Sequence, residues 1–330
     1  MPTRRTLLLA PLAAPLAAPL AASLAAPALA QTFPDRTVRY IVPFTPAGLT
    51  DIMARILANR LGEVWQKPVV VENRAGGNAM IGAEAVARAA PDGHTLLAIT
   101  LTHAVNATLF PNPPYNLLRD LSTVSILGSL PLLVVVNAAS PIRSLDGLAA
   151  AARGRTLNAG SSGNGSPPHL GLELFRIAAR AAGNITHVPY RGGAPGVTDL
   201  VAGNLDFMVS NLPECIAQVA GGRLRALATT GEVRHRSLPD TPTVAELGMP
   251  SMSMTNWTAM MLPGATPAAI QRQIEAATLA ALAEPDTARR VVDAGFDVTA
   301  WPAQRSQAFI AAEVTRWGQL VQEARIRPDA

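Results

Sequence analysis

The run Gly160-Ser161-Ser162-Gly163-Asn164 is the part of this chain nearest to a catalytic motif, since a serine between glycines can serve as a nucleophile on a tight strand-to-helix turn. That elbow requires Gly-x-Ser-x-Gly, and Asn164 stands where the second glycine belongs. Ser162 therefore reads as a hydroxyl donor in a loop, and a hydrolase pairing it with His169 or His187 is kept as the enzymatic alternative. His94, His103, His169, His187 and His235 show no His-x-x-x-His spacing, and Cys215 is the only cysteine, so no metal site is expected. The one lysine, Lys67, follows no glycine loop at Walker spacing, and no Gly-x-Gly-x-x-Gly follows a strand. No cofactor is expected. Asp51 has the chemistry of a general base, but its place behind Thr50 at a helix start favours capping. Arg191, beside a glycine-rich helix start, has the fork geometry to hold a carboxylate in two parallel hydrogen bonds; a surface salt bridge is the equal alternative.

These residues lie on a grammar that occurs three times. Val38 to Phe44 reads as a buried strand, Thr45-Pro46-Ala47-Gly48-Leu49 as a loop, and Thr50-Asp51 as the cap of a helix reaching about Leu61. Thr156 to Ala159, the loop Gly160 to Ser166, and a helix opening near Pro167-Pro168 form the second copy. Ile185 to Tyr190, the loop Arg191-Gly192-Gly193-Ala194-Pro195-Gly196, and a helix through Val197, Leu200 and Val201 form the third. Free N–H groups and the positive dipole end make each helix start a seat for an anion, although glycine loops also serve simply as tight turns. Three together favour a small-anion site at the carboxyl ends of the strands.

Further strands are expected at Pro68 to Glu72, His94 to Thr100, Asp206 to Ser210 and Leu224 to Ala228. Helices are expected at Ile81 to Ala90, Pro213 to Ala220, and from about Pro267 onward, bounded by Gly264, Pro285 and Pro302. Alternating strands and helices imply an α/β fold with mostly parallel sheets.

The chain has 330 residues, 49% hydrophobic, 15% charged and 4% aromatic, against roughly 25% charged for an average soluble domain. Disorder and coiled coil do not fit. Residues 1–30 carry Arg4-Arg5, an apolar alanine- and leucine-rich middle broken by prolines, and Ala28-Leu29-Ala30. This reads as an export signal cleaved after about Ala30, and Thr3-Arg4-Arg5 also resembles a twin-arginine leader. Without Arg4 and Arg5 the formal charge falls from +4 to +2. The arginines form no basic stripe, so nucleic acid is not an expected partner. The mature chain, from Gln31, is expected to be a soluble periplasmic monomer.

Several blocks in fixed order resemble the substrate-binding proteins of the tripartite tricarboxylate transporters, the Bug-type receptors. They are Val42-Pro43-Phe44 through Gly48, Thr50 and Asp51; Pro68-Val69-Val70-Val71-Glu72-Asn73-Arg74; Ala90-Pro91-Asp92-Gly93-His94-Thr95-Leu96; Ser161 to Gly165; Val188-Pro189-Tyr190-Arg191-Gly192; and Leu238 to Glu246. The resemblance implies a two-lobed, type II-like periplasmic binding protein. Each lobe would be a mostly parallel sheet flanked by helices, with two chain crossings: 31–133 and 253–330 in lobe 1, 134–252 in lobe 2. It further implies a small carboxylate ligand, no catalysis, and delivery to a permease of one large and one small membrane subunit. A ligand sensor feeding a signalling partner is the alternative among receptors.

Carried over by resemblance, the ligand-binding positions are Phe44, Thr45, Pro46, Ala47, Gly48, Leu49, Thr50 and Asp51 in the first loop, and Thr100, Leu101, Thr102 and His103 at a strand end. The second lobe would add Ser161, Ser162, Gly163, Asn164, Gly165, Ser166, Tyr190, Arg191, Gly192, Gly193 and Asn211, with Trp257 near the return crossing. Leu49 and Leu101 stand where the family often has small or polar residues. If both face the ligand, the pocket is drier and suits a monocarboxylate or a more apolar acid.

Overall fold

Alternation along one strand sets the layers of this protein. In β4 (Leu121–Asn137), Ile126, Leu132, Val134 and Val136 pack into one hydrophobic cluster, while Val124, Leu127, Leu130, Leu133 and Val135 pack into another. Successive side chains of a strand point to opposite faces, so a strand apolar on both faces needs helices above and below it. The structure, a computed structural model, describes residues 33–181 and 183–328. The expected export leader and its cleavage point lie outside the described residues. No helix among those described is long and apolar enough to cross a membrane.

The first sheet runs β2 (Val69–Asn73), β1 (Val38–Val42), β3 (Thr95–Thr100), β9 (Thr255–Pro263), β4, with β10 (Asp297–Trp301) also paired to β4. The second runs β4, β7 (Phe207–Asn211), β5 (Leu157–Ser161), β6 (Ile185–Pro189), with β8 (Leu224–Thr229) also on β4. The expectation of mostly parallel sheets needs correcting. The pairs β1–β2, β1–β3, β5–β6 and β5–β7 are parallel, but β4 and β9 run antiparallel to each other and to their other neighbours. Helical crossovers return a chain in the same direction, whereas a strand leaving one sheet for the next and another coming back must oppose each other.

β4 belongs to both sheets. Its residues up to Pro131 pair with β9, and from Leu132 onward it pairs with β7. Proline has no N–H for a ladder, so Pro131 suits the point where the partner changes. Thr230, fully buried, ties the crossing together: its Oγ1 accepts from Leu132 N–H at 2.9 Å and donates to the Met254 carbonyl at 2.7 Å.

The three strand–loop–helix units form as their turn chemistry suggests. β1 leads to α1 (Leu49–Trp65), one turn longer than expected; β5 leads to α5 (Pro167–Ala178); β6 leads to α6 (Gly193–Ala202). α2 (Met80–Ala87), α7 (Leu212–Ala220), α8 (Ala268–Ala283), α9 (Pro285–Asp293) and α10 (Ala303–Glu323) fall close to expected segments. The two helices with no expected counterpart are α3 (Leu101–Leu109) and α4 (Leu145–Gly154). α3 begins directly on the end of β3, with no loop or glycine to announce it.

Candidate functional site

The amino ends of α1, α3, α5, α6 and α7 converge on one cavity of about 30 Å³, space for a water or two. Phe44, Thr45, Gly48, Leu49 and Thr50 line it from the first loop, and Thr100 and Thr102 from the start of α3. Ser162, Ser166, Gly192 and Asn211 line it from the second sheet's loops. The site thus draws on strand ends of both sheets, where open α/β sheets bind ligands.

Two of these helix starts are capped by their own side chains. Thr100 Oγ1 accepts from Thr102 N–H at 3.3 Å, and His103 Nδ1 accepts from Thr100 N–H at 3.2 Å, a reciprocal capping box. Ser166 Oγ accepts from His169 N–H at 3.4 Å at the start of α5. α1 and α6 begin on Gly48 and Gly192, which offer no side-chain acceptor, so their N–H groups are open to an acceptor from elsewhere. Ser162 Oγ is buried with no hydrogen-bond partner.

Asp51 does not line the cavity; it builds the loop that does. Its carboxylate accepts from Ala47 N–H at 3.0 Å, Arg55 Nε at 2.9 Å and Asn73 Nδ2 at 2.9 Å, and Asn73 Nδ2 also donates to the Phe44 carbonyl at 3.1 Å. Burial alone would raise this carboxyl, but those hydrogen bonds and the Arg55 charge outweigh it and hold it below the ordinary carboxylate value. Pro46 and Ala47 are exposed on the outer turn of the loop.

The loops after β5 and β6 are held by histidines. Ser161 Oγ lies 2.6 Å from His187 Nε2, His187 stacks on His169 with ring centroids 3.8 Å apart, and Gly165 N–H donates to His169 Nδ1 at 3.0 Å. Burial, with the neighbouring His169 and Arg176, pushes the His187 ring down to about 3, so it stays neutral at any ordinary pH. The hydrolase alternative needs Ser162 beside one of these histidines; instead His187 engages Ser161, and Ser161 is buried. Asn164 Nδ2 donates to the Arg327 carbonyl at 2.6 Å, and Gly163 N–H to Ser161 Oγ at 3.1 Å. At Gly165, with φ +66°, a Cβ would collide with Leu109 of α3.

Tyr190 turns away to donate from its hydroxyl to Asp199 at 2.6 Å, and Arg191 is exposed. Thr45 Oγ1 donates to the Arg191 carbonyl at 3.3 Å, and a Cβ on Gly192 would come within 2.8 Å of that same Thr45 oxygen. The two loops meet across the cleft backbone against side chain.

Three further expected positions lie in the core or beside a neighbouring cavity. Leu101 is fully buried in the core, because it opens α3 and is not a strand-end residue. The drier-pocket argument therefore rests on Leu49 alone. Trp257 is also in the core, donating from its indole N–H to Glu313 Oε2 at 2.9 Å. His103 lines a neighbouring cavity of about 240 Å³ with Tyr115, Leu117 and Val314; burial pushes its ring down to about 4, against the hydrogen bond a protonated Nδ1 would donate to the Thr100 carbonyl.

Pro167, Pro168, Asn256 and Glu214 also line the site, and none of them is among the expected ligand-binding positions. Asn256 Nδ2 donates to Asn211 Oδ1 at 2.9 Å, and Asn211 Nδ2 donates to Glu214 Oε2 at 3.0 Å. The backbone amides of Asn211 and Leu49 also stabilise the charged form of the Glu214 carboxyl. Burial pushes it up to about 7, while those three donors pull the other way. An acidic residue three after an asparagine cap was the available signal for Glu214. Among the described residues no group of three or more His, Cys, Asp or Glu is placed to hold a metal ion.

Residues 53–326 match the family described as the tripartite tricarboxylate transporter family receptor. The chain is 39% identical over 306 residues to protein BugT of Bordetella pertussis, spanning 90% of this chain and 92% of that one. Among solved structures, the periplasmic binding protein BugD superposes with a TM-score of 0.85 at 28% identity, and R. palustris Rpa4515 with adipate with 0.86 at 32%. Each of these covers 90% of this chain and 100% of the other. The two-lobed α/β architecture, with its cleft between the strand ends, is thus that of periplasmic binding proteins, and the chain belongs to the receptor family of the tripartite tricarboxylate transporters.

Proposed function

We propose that this protein is an extracytoplasmic receptor that binds a small carboxylate between its two lobes and delivers it to a membrane permease of the tripartite tricarboxylate type. The carrying observation is the convergence of five helix amino ends from both sheets on one cavity, with α1 and α6 lacking a side-chain cap. A buried carboxylate must replace its water with other donors, and helix amino ends supply N–H groups and a favourable dipole together. The adipate held by Rpa4515 supports an acid as the ligand class.

We place the lobes at 31–133 with 253–330, and 134–252. The change of β4 partner between Pro131 and Leu132 supports a hinge there. A ligand that touches both lobes stabilises the closed form by its differential affinity, and the closed form is what a permease would dock. The cavity lies between loops of both sheets, so parting of the lobes would admit the ligand and closure would enfold it.

The test is a thermal-shift panel of mono-, di- and tricarboxylates with their amides, followed by calorimetry. A ligand at a hundredfold excess over its Kd adds about 2.7 kcal/mol of stability. Shifts with acids and none with their amides are expected; equal binding of acid and amide would remove the anion site.

A further inference from the structure

Glu214 is the only charged side chain among the described residues that line the cavity. Its carboxylate sits where three helix starts meet: it accepts from the Asn211 side chain at the start of α7, the backbone amides of Leu49 in α1 and Asn211 stabilise its charged form, and it lies so close to Gly193 of α6 that a Cβ there would collide with Oε2. Asn256 fixes the amide orientation of Asn211 by donating to its oxygen, which turns the Asn211 NH2 group toward Glu214. The protein's own carboxylate therefore occupies part of the anion seat.

Among the described residues no basic side chain lines the cavity to balance Glu214. A second ligand carboxylate beside it would meet a like charge, whereas an ammonium or hydroxyl would find an acceptor. The donors left for the ligand's own carboxylate are the uncapped start of α6 and the unpartnered Ser162 hydroxyl.

We propose that Glu214 determines ligand choice, so that the site takes an acid with one carboxylate and, toward Glu214, a hydrogen-bond donor such as an ammonium or hydroxyl group. This rests on the carboxylate-receptor reading and narrows it away from dicarboxylates.

Calorimetry on the purified protein at about pH 8, where Glu214 is mostly ionised, tests this with length-matched probes. These are adipate, 6-aminohexanoate and 6-hydroxyhexanoate, and the shorter set succinate, 4-aminobutanoate and 4-hydroxybutanoate. The amino or hydroxy acid of one length should bind at least about tenfold tighter than its dicarboxylate, and Glu214→Gln should reduce that preference by about tenfold. Amino against hydroxy acids identifies which donor is preferred. Equal or tighter binding of the dicarboxylate by the unaltered protein overturns the role of Glu214 while leaving the receptor reading intact. Binding of none of the acids, in panels of any length, overturns both. Should Glu214→Gln fail to fold, the ordering in the unaltered protein decides.

Discussion

Trp257 is anchored to Glu313 across the interior, and Trp317 shares the same anchor: the two indole N–H groups donate to the one oxygen, Glu313 Oε2, at 2.9 and 2.8 Å. All three residues are buried. The arrangement fastens β9, which carries the cavity residue Asn256, to the last helix of the chain. Glu313→Ala leaves two buried donors unpaired and should cost about 2–5 kcal/mol of stability. Glu313→Gln keeps an acceptor and should cost less. Urea denaturation followed by tryptophan fluorescence checks the order, and equal losses for both variants would refute the shared-acceptor account.

Asp51 acts on the ligand through the loop it braces. Asp51→Ala should lose about 2–3 kcal/mol, the scale of hydrogen bonds to a charged group, and should weaken ligand binding as residues 44–48 loosen. Because the folded carboxyl titrates below its ordinary value of 3.8, its contribution is complete at neutral pH and is lost as pH falls through the lower folded value. A variant with unchanged stability and affinity, by denaturation and calorimetry, would show that the loop does not need this brace.

His103 makes the fold acid-sensitive. The unfolded chain takes up the proton near 6.5 and the buried ring only near 4, so stability should fall between those values as pH drops, by on the order of 3 kcal/mol. His187 acts in the same direction. Glutamine can serve the same capping-box position without titrating, so His103→Gln should show a shallower loss of stability on acidification. Identical pH slopes would rule this out.

The contact between Thr45 and Arg191 joins the loop after β1 to the loop after β6. Thr45→Val removes one hydrogen bond and should weaken ligand binding about fivefold, the equivalent of about 1 kcal/mol, without changing unliganded stability. Gly192→Ala should do more, because φ is +126° there and the new Cβ would press on Thr45 Oγ1. Calorimetry on both variants gives the ranking; a Gly192→Ala protein that binds normally would contradict it.

Thr230 serves both crossings with one hydroxyl, accepting from Leu132 and donating to Met254. Thr230→Val leaves the Leu132 N–H and Met254 carbonyl without that partner and should cost about 1–3 kcal/mol. Hydrogen exchange should quicken at Leu132 in particular. An unchanged rate there would mean water replaces the hydroxyl.

The repeated units, and where their helices begin, are legible in the amino-acid order. Strand, glycine loop and helix are set by contacts within a dozen residues, as at Ser166 before Pro167-Pro168 and Gly192 before Gly193, so local turn chemistry suffices to read them. The sequence also carried the ordered motifs by which the family is recognised. It could not reveal β4 as one strand, because Gly128 and Pro131 look like breaks until two different sheets are seen to need a partner change at that point. Nor could it separate Leu101, which enters the core, from Thr100 and Thr102, which line the cavity, because a helix turns successive side chains by about 100° and no glycine or loop announces that α3 starts at Leu101. Glu214 and Asn256 reach the site only through the registers of β7 and β9 on the crossing strand, relations between residues about forty or more positions apart in the chain. Chemistry made by neighbours in sequence was legible; chemistry made by neighbours in space belonged to the tertiary structure.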